Sequence, residues 1–501
     1  MRYRRMVQGL VAAALLAGVA QAQTLTIAHN IDPETLNPLM TTTAAAESVI
    51  LAAVEKLAVF EDGVTVPWLL EGWDIVSDTV IELHIKEGIQ FSNGEPLDAE
   101  AVRFSFEAWR EQPVMAQAIA GLEDAVFEVV DDNTLRITTS KPVPGILTTL
   151  GRYGYVVPPA YYASVGPEGF GEAPIGTGPY VFDRHVPGQT VEFVRNENYW
   201  RGEPAYERVV FRVMPEEFSR AAAIEAGEVD IAYLLSDTSA ARLSNASGVV
   251  VHSLPGLRKF IAAYNAEMPG GEPLLDPAVR RALNHAVDVD AVINALFAGQ
   301  AVSLGGSFAL PAEFGYTDVD DFEYDPELAR SILAEAGYPN GFPVTLAYTV
   351  GRYPKDQEVG QIIASYLEAV GLTVQQKPLE WGQFVNERSN RTLGHIFVFG
   401  LLFSPDLENT FTYMAFGKEA RGGPLLTWSD EWWDLYERSS VTVDPEARAE
   451  LYARMLEIDR EEPYGIYLFA PNDVYATRDT VAGFEPREDQ FLFLYDVRPS
   501  N

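Results

Sequence analysis

Residues 174–202 read PIGTGPYVFDRHVPGQTVEFVRNENYWRG. Gly176 and Gly178 bracket Thr177, and Pro179-Tyr180 follow, so the segment makes a tight bend and runs into extended chain. A glycine loop that cradles phosphate needs a helix N-terminus directly after its glycines. Here Tyr180-Val181-Phe182 and Thr190-Val191-Glu192-Phe193-Val194, on either side of Gly188, alternate as the two arms of a β-hairpin do. The nucleotide-binding alternative falls, and the stretch closes on Arg195, Asn196, Tyr199, Trp200 and Gly202.

Working outward, the 501 residues are 47% hydrophobic and 22% charged, enough to bury a large core divided into two or three domains. The chain starts Met1-Arg2-Tyr3-Arg4-Arg5, passes through an apolar run over 11–19 and reaches Ala20-Gln21-Ala22, a small-x-small cleavage signal before Gln23. That run is far shorter than the roughly 20 residues of a membrane span, so residues 1–22 are expected to be a cleaved leader. Cysteine is absent, which excludes disulfides, a thiolate zinc site, a cysteine nucleophile and a lipid-bearing cysteine. The six histidines have no i, i+4 pair, so no protein-built metal site and no cofactor is expected. A formal net charge of −36 repels nucleic acid and anionic headgroups, and a solvated acidic surface accounts for it better than an acidic binding site.

The bend, the hairpin and the R-N-x-x-Y-W-x-G closing block together resemble the family-5 solute-binding proteins of ABC importers, the group of dipeptide-, oligopeptide- and nickel-binding proteins. Further blocks extend the resemblance: 67–73 is similar to P-x-L-A-E-x-W, 82–91 to the family's L-R-x-G-V-K-F strand and turn, and Gly227-Glu228-Val229-Asp230-Ile231 to G-E-V-D-I. Asp276, Val279, Arg280, Ala282, Leu283, Ala286 and Asp288 fall on a D-x-x-V-R-x-A-L-x-x-A-x-D block, and Tyr324-Asp325-Pro326-Glu327 opens another. The resemblance implies an α/β fold of the periplasmic-binding-protein type (type II, Venus-flytrap), with two α/β lobes joined by a two-strand hinge and an extra small α+β domain. The expected division is 23–58, 173–264 and 470–501 as lobe I, 59–172 as the insert and 265–469 as lobe III, with passages near Asn265 and Phe469.

Local signals support elements within this plan. A helix is expected over 44–57, with Val49, Ile50, Ala53, Val54 and Leu57 on one face. Asp98, Asp288 and the Asp276-Pro277 and Asp325-Pro326 pairs start helices. Strand 344–349, helix 357–370 and strand 372–376 form a β-α-β unit, which predicts parallel pairing with a right-handed crossover. Asp230, at an element edge, is expected to satisfy backbone donors rather than a ligand.

The function implied by the resemblance is that of a periplasmic, monomeric binding component. It would capture a peptide-type solute, or an oligosaccharide, between lobes I and III and deliver it to an ABC permease and ATPase complex in the inner membrane, transforming nothing. In the family the loop before the helix at 44 touches ligand, which implicates Thr42 and Thr43; capping of that helix is the structural alternative. Oligopeptide-binding relatives carry a Trp and, seven residues later, an Arg on one distal-lobe helix, here Trp381 and Arg388. A ring face and a guanidinium fork suit planar or carboxylate groups, while interhelix packing of the Trp and a solvated Arg are the alternative.

The strand end at Gly400 and Leu402 leads to a departure from the family. Peptide-binding relatives have an aspartate for the peptide's α-ammonium seven residues before a Phe; counted from Phe411, that position is Ser404. A hydroxyl cannot supply the charge-assisted bond, so either Asp406 or Glu408 substitutes, or the ligand lacks a free amine. Trp381, Phe403 and Ser404 would suit an oligosaccharide. A secreted hydrolase would need a motif such as G-x-S-x-G or H-E-x-x-H, and neither occurs. A ligand-sensing receptor on the same scaffold would bind without stimulating a permease ATPase.

Overall fold

A computed structural model describes residues 23–61, 63–115, 121–402, 405–416 and 428–500. The leader over 1–22, Phe403 and Ser404 lie outside the described residues.

The bend at 176–180 is built on backbone-to-backbone contact. Gly178 N and Tyr180 N donate to the carbonyls of Ala53 and Ala52, each at 2.9 Å. A Cβ at Gly176 would overlap Ala53 O, and one at Gly178 would stand 2.7 Å from Ala53 C, so only glycine lets the two segments approach this closely. The helix expected over 44–57 therefore spans only Ala44–Ile50, because the carbonyls beyond it serve the bend instead of another helical turn. The hairpin follows as expected, Tyr180–Val186 against Thr190–Arg195.

That hairpin is one edge of a seven-stranded sheet, in the order Tyr180–Val186, Thr190–Arg195, Arg208–Val213, Thr24–His29, Ile231–Leu235, Asp473–Arg478, Val249–Leu254. Thr24–His29 pairs in parallel with both of its neighbours, and the outer pairings are antiparallel. A six-stranded sheet follows the order Ala301–Ser303, Gly465–Pro471, Arg258–Tyr264, Ile396–Leu402, Pro343–Thr349, Thr373–Leu379. Its last three strands are parallel, and helix Asp356–Ala369 makes the expected crossover. The insert carries a four-stranded antiparallel sheet and helix Ala99–Arg110, capped by Asp98 onto Ala101 N at 2.8 Å.

Apolar packing divides the molecule into two bodies. Leu25, Ile27 and Phe211 of the first sheet share one buried cluster with Leu83, Phe106 and Ile137 of the insert. Ile261, Leu346, Val398, Leu456 and Phe469 belong to a separate cluster around the second sheet. Leu402 packs against both clusters. Strand Arg258–Tyr264, expected with lobe I, pairs instead in the second sheet with Ile396–Leu402 and Gly465–Pro471. Seven consecutive buried residues mark a central strand covered on both faces, and residues 255–257 connect it to Val249–Leu254 of the first sheet. The return passage lies beside it at 471–473, and a Cβ at Gly256 would overlap Pro471 O.

Candidate functional site

The closing block of the organising stretch proves to be an anchor. Glu55, fully buried, accepts from Thr177 Oγ1 (2.8 Å), Tyr199 OH (2.7 Å), Trp200 Nε1 (2.9 Å) and Trp68 Nε1 (2.8 Å). Burial pushes its carboxyl pKa up, and the four donors pull against that. Asn196 Nδ2 donates to Gly178 O at 2.9 Å and ties the block to the bend. Asp230 likewise accepts from Thr26 N at 2.8 Å, so it fastens two strands of the first sheet.

Ligands of parallel α/β sheets sit at the carboxyl ends of the strands, where loops are free to carry polar groups. In the second sheet, strands Pro343–Thr349, Thr373–Leu379 and Ile396–Leu402 lead to Arg352-Tyr353, to Trp381 and to Asp406. In the first sheet, Thr24–His29 and Ile231–Leu235 end on His29-Asn30 and on Ser236-Asp237. Of these, the ends of Ile231–Leu235 and Pro343–Thr349 meet at a small chamber of about 30 Å³ bounded by Ser236, Asp237, Arg258, Arg352, Tyr353 and Asp473.

Trp381 starts helix Trp381–Ser389, half-buried, with its ring stacked on Phe384 at 5.9 Å and edge-on to Tyr353 at 6.2 Å. Seven residues on, the Arg388 guanidinium lies 4.8 Å from the Phe399 ring and donates to Tyr413 OH. Tyr353 OH donates to Gly400 O at 3.1 Å, and Arg258 packs against Gly400, where a Cβ would stand 2.9 Å from its Cδ. Tyr353 thus joins Trp381 to Gly400, Arg388 lies against Phe399 of the same strand, and Leu402 packs against both buried clusters.

Sequence reasoning missed Arg352. Its loop is held by Asp356, whose carboxylate accepts from the backbone N of Gly351, Arg352 and Tyr353 at 2.9–3.1 Å. The guanidinium lies 5.0 Å from the Tyr353 ring and 4.9 Å from the Trp381 ring, and the residue is only 8% exposed. Its Nε has no hydrogen-bond partner among the described residues. The available signal was positional: an arginine just past the carboxyl end of the strand opening a β-α-β unit. Across the crevice, burial holds His29 neutral with its pKa down at about 3, and the Arg220 and Arg352 charges add to that. Near the passages, Arg258 Nη2 donates to Gln490 Oε1 (2.6 Å) and Gln490 Nε2 to Asp473 Oδ1 (2.7 Å), linking the bodies. Burial raises the Asp473 carboxyl pKa to about 7.

The remaining predicted residues are less committed to the crevice. Thr42 O accepts from Arg152 Nη2 at 3.2 Å. Thr43 occupies the N-cap of helix Ala44–Ile50 without a capping side-chain bond. Asp406 is buried and engaged: it accepts from Arg448 Nη2 at 3.1 Å and from Glu408 N at 2.9 Å. Glu408 lies 3.8 Å from Arg448 Nη1, and burial followed by the Asp406 charge raises its carboxyl pKa to about 8.

A cavity of about 790 Å³ lies beside Leu254 and Leu257 at the first passage and not at Trp381. Trp68, Phe60, Phe493, Leu257 and Pro405 wall it, with Arg487 and Asp489 at its polar side. Among the described residues no group of three or more His, Asp or Glu is placed to hold a metal ion, and no helix is long and apolar enough to cross a membrane.

Comparison with known proteins agrees with this architecture. The profile described as "Bacterial extracellular solute-binding proteins, family 5 Middle" matches residues 64–423. The dipeptide-binding protein of Escherichia coli (strain K12) is 26% identical over 95% of this chain and 94% of its own length. Heme-binding protein A of Haemophilus influenzae is 30% identical over 66% of this chain and 65% of its own. Among solved structures, the ABC transporter-associated periplasmic binding protein DppA from Helicobacter pylori, in complex with peptide STSA, superposes with a TM-score of 0.84 at 24% identity, covering 96% of this chain and 99% of that one.

Proposed function

We propose a solute-capture role for this chain, which belongs to the bacterial extracellular solute-binding proteins of family 5. It acts as the periplasmic binding component of an ABC importer, taking a small solute between its two bodies and presenting it to a permease and ATPase complex. No bond need be made or broken. A solute touching both bodies favours the closed arrangement by its differential affinity for that state, and the permease reads closure. The observation that carries this reading is the meeting of both sheets' carboxyl strand ends at a crevice beside two adjacent chain passages.

The names of two relatives, a dipeptide-binding and a di/tripeptide-binding protein, support a small peptide as solute, although another is named for heme. The buried Arg352, flanked by two aromatic faces, supports a solute bearing a carboxylate, since an acid would complete a charge-assisted pairing there. Trp381, Arg388, Gly400 and Leu402 form the wall that such a solute would meet, with Thr42 and Thr43 on the opposite body. Because Asp406 is bound to Arg448, it is a poor receiver for a free α-ammonium. A neutral oligosaccharide would leave Arg352 unmet, so an acid-bearing, peptide-type solute is the better fit. Cleavage after Ala22, an untethered monomer, and rigid bodies divided at 255–257 and 471–473 complete the proposal.

The test is native mass spectrometry of the purified mature protein, followed by melting shifts with unblocked dipeptides, N-acetyl dipeptides and neutral oligosaccharides. A solute at a hundred times its Kd stabilises the folded state by about 2.7 kcal/mol, enough to read. Acid-bearing solutes are expected to raise the melt, and Arg352→Ala to abolish the rise. A rise with neutral oligosaccharides alone overturns the acid assignment; turnover of any solute overturns the capture role.

A further inference from the structure

Where the insert meets the second body, Gly145 and Glu408 are in contact. A Cβ at Gly145 would overlap Glu408 Oε2, although the Gly145 backbone (φ −84°, ψ 11°) is open to any residue. The missing side chain is therefore required by the neighbour and not by the turn. Gly145 belongs to the body of the first sheet through the insert, and Glu408 lies in the first turn of helix Leu407–Phe416 on the other body. Their contact exists only while the two bodies are together.

Among the described residues, the groups that face Glu408 are few. From its own loop comes the Asp406 carboxylate, and from helix Pro445–Glu461 come Arg448 and the Tyr452 phenol. From helix Asp430–Ser439 comes the Tyr436 phenol, which also senses Glu123 of the insert. Arg448 bonds Asp406 at 3.1 Å and stands 3.8 Å from Glu408, so one guanidinium serves two carboxylates. From the insert comes the first turn of helix Ile146–Tyr153, which brings no cation.

We propose that closing the bodies drives Glu408 to take up a proton, so that the arrangement capturing solute is favoured in acid and released as the surroundings turn alkaline. This rests on the capture reading and concerns its regulation. With the bodies apart, water reaches Glu408 more freely and its carboxyl titrates lower, while Asp406 on the same loop still holds it up. With Gly145 against it, the Glu408 side chain keeps only 17% of its surface exposed while Asp406 already holds the shared arginine. The sign follows: the closed state binds more protons than the open one, so closure is strongest in acid and weakens as pH rises toward the closed-state value of about 8.

The chain has no cysteine, so two introduced ones label cleanly. Asp78→Cys on the insert and Glu437→Cys on the second body, both exposed positions, carry spin labels for distance measurement on the mature protein without added solute. The ratio of short to long distances is expected to fall by up to about tenfold per pH unit between pH 5.5 and 8. Glu408→Gln is expected to flatten that dependence and stay short, and Gly145→Ala to stay long at every pH with an unchanged melt. A Glu408→Gln profile parallel to that of the unsubstituted chain, or a Gly145→Ala protein that closes normally, overturns the proposal. Since no solute is added, neither outcome depends on whether the capture reading holds.

Discussion

Glu55 shows what a single buried carboxylate does when its surroundings are all donors. Four side chains from three separate segments converge on it, two of them the Tyr199 and Trp200 of the closing block and one the Thr177 of the bend. A carboxylate offers about four lone-pair sites, so this arrangement saturates it. Glu55→Gln keeps the shape but turns an amide N–H toward at least one of those donors. An unmet buried donor of this kind costs about 1–3 kcal/mol, and a lost bond to a charge about as much again. The variant is expected to be destabilised by about 2–4 kcal/mol in urea unfolding, with the slope of the transition unchanged. A change below about 0.5 kcal/mol would show that the four contacts do not act together. Trp200, the most conspicuous residue of the block, is thereby assigned to holding the first body together, while Arg352, in no block at all, sits at the crevice.

At the scale of elements, what was legible in the sequence was local. The caps at Asp98, Asp276, Asp288 and Asp325 and the β-α-β unit between 343 and 379 depend on neighbours a few residues away, and all of them stand. The end of the first helix depends on residues more than a hundred positions distant, through the acceptance of Gly178 N and Tyr180 N by Ala53 and Ala52. No periodicity in 44–57 encodes that. The sheet that strand Arg258–Tyr264 joins is not legible in its sequence, because a run buried on both faces has no alternation to say which neighbours it takes. Arg352 escaped for a similar reason: its significance lies in what surrounds it in space, and its own neighbours Gly351 and Pro354 signal only a turn. The bend offers a test at this scale. Gly178→Ala forces a Cβ into backbone, with no flexible side chain able to yield, so a loss of about 2–4 kcal/mol in the same unfolding measurement is expected. The exposed turn glycine Gly188, where a Cβ meets nothing and only the φ of +71° resists, is expected to lose about 1 kcal/mol. Equal losses at the two positions would remove the argument that backbone contact, and not turn conformation, sets the requirement at Gly178.

At the scale of the molecule, the three larger sheets do not make three independent bodies. The insert has its own strand pairing, yet Phe106 and Leu83 bury their side chains in the same cluster as Leu25 and Phe211 of the first sheet, whereas the second sheet's cluster touches that one through Leu402. Shared apolar surface couples unfolding, because removing one part leaves the other's core facing water. The insert and the first sheet should therefore open as one cooperative unit and the second sheet as another, which is also what a two-body closing motion requires. Phe106→Ala tests this. Deleting a buried phenyl costs about 3–5 kcal/mol, and if the core is shared that loss must appear wherever the unit's stability is read. Amide exchange in strand Thr24–His29, across the cluster from the substitution, is expected to quicken as much as exchange in Val80–Ile85, while strand Ile396–Leu402 keeps its protection. Faster exchange confined to the insert would mean that the insert is a third body after all, and closure would then have two joints to explain in place of one.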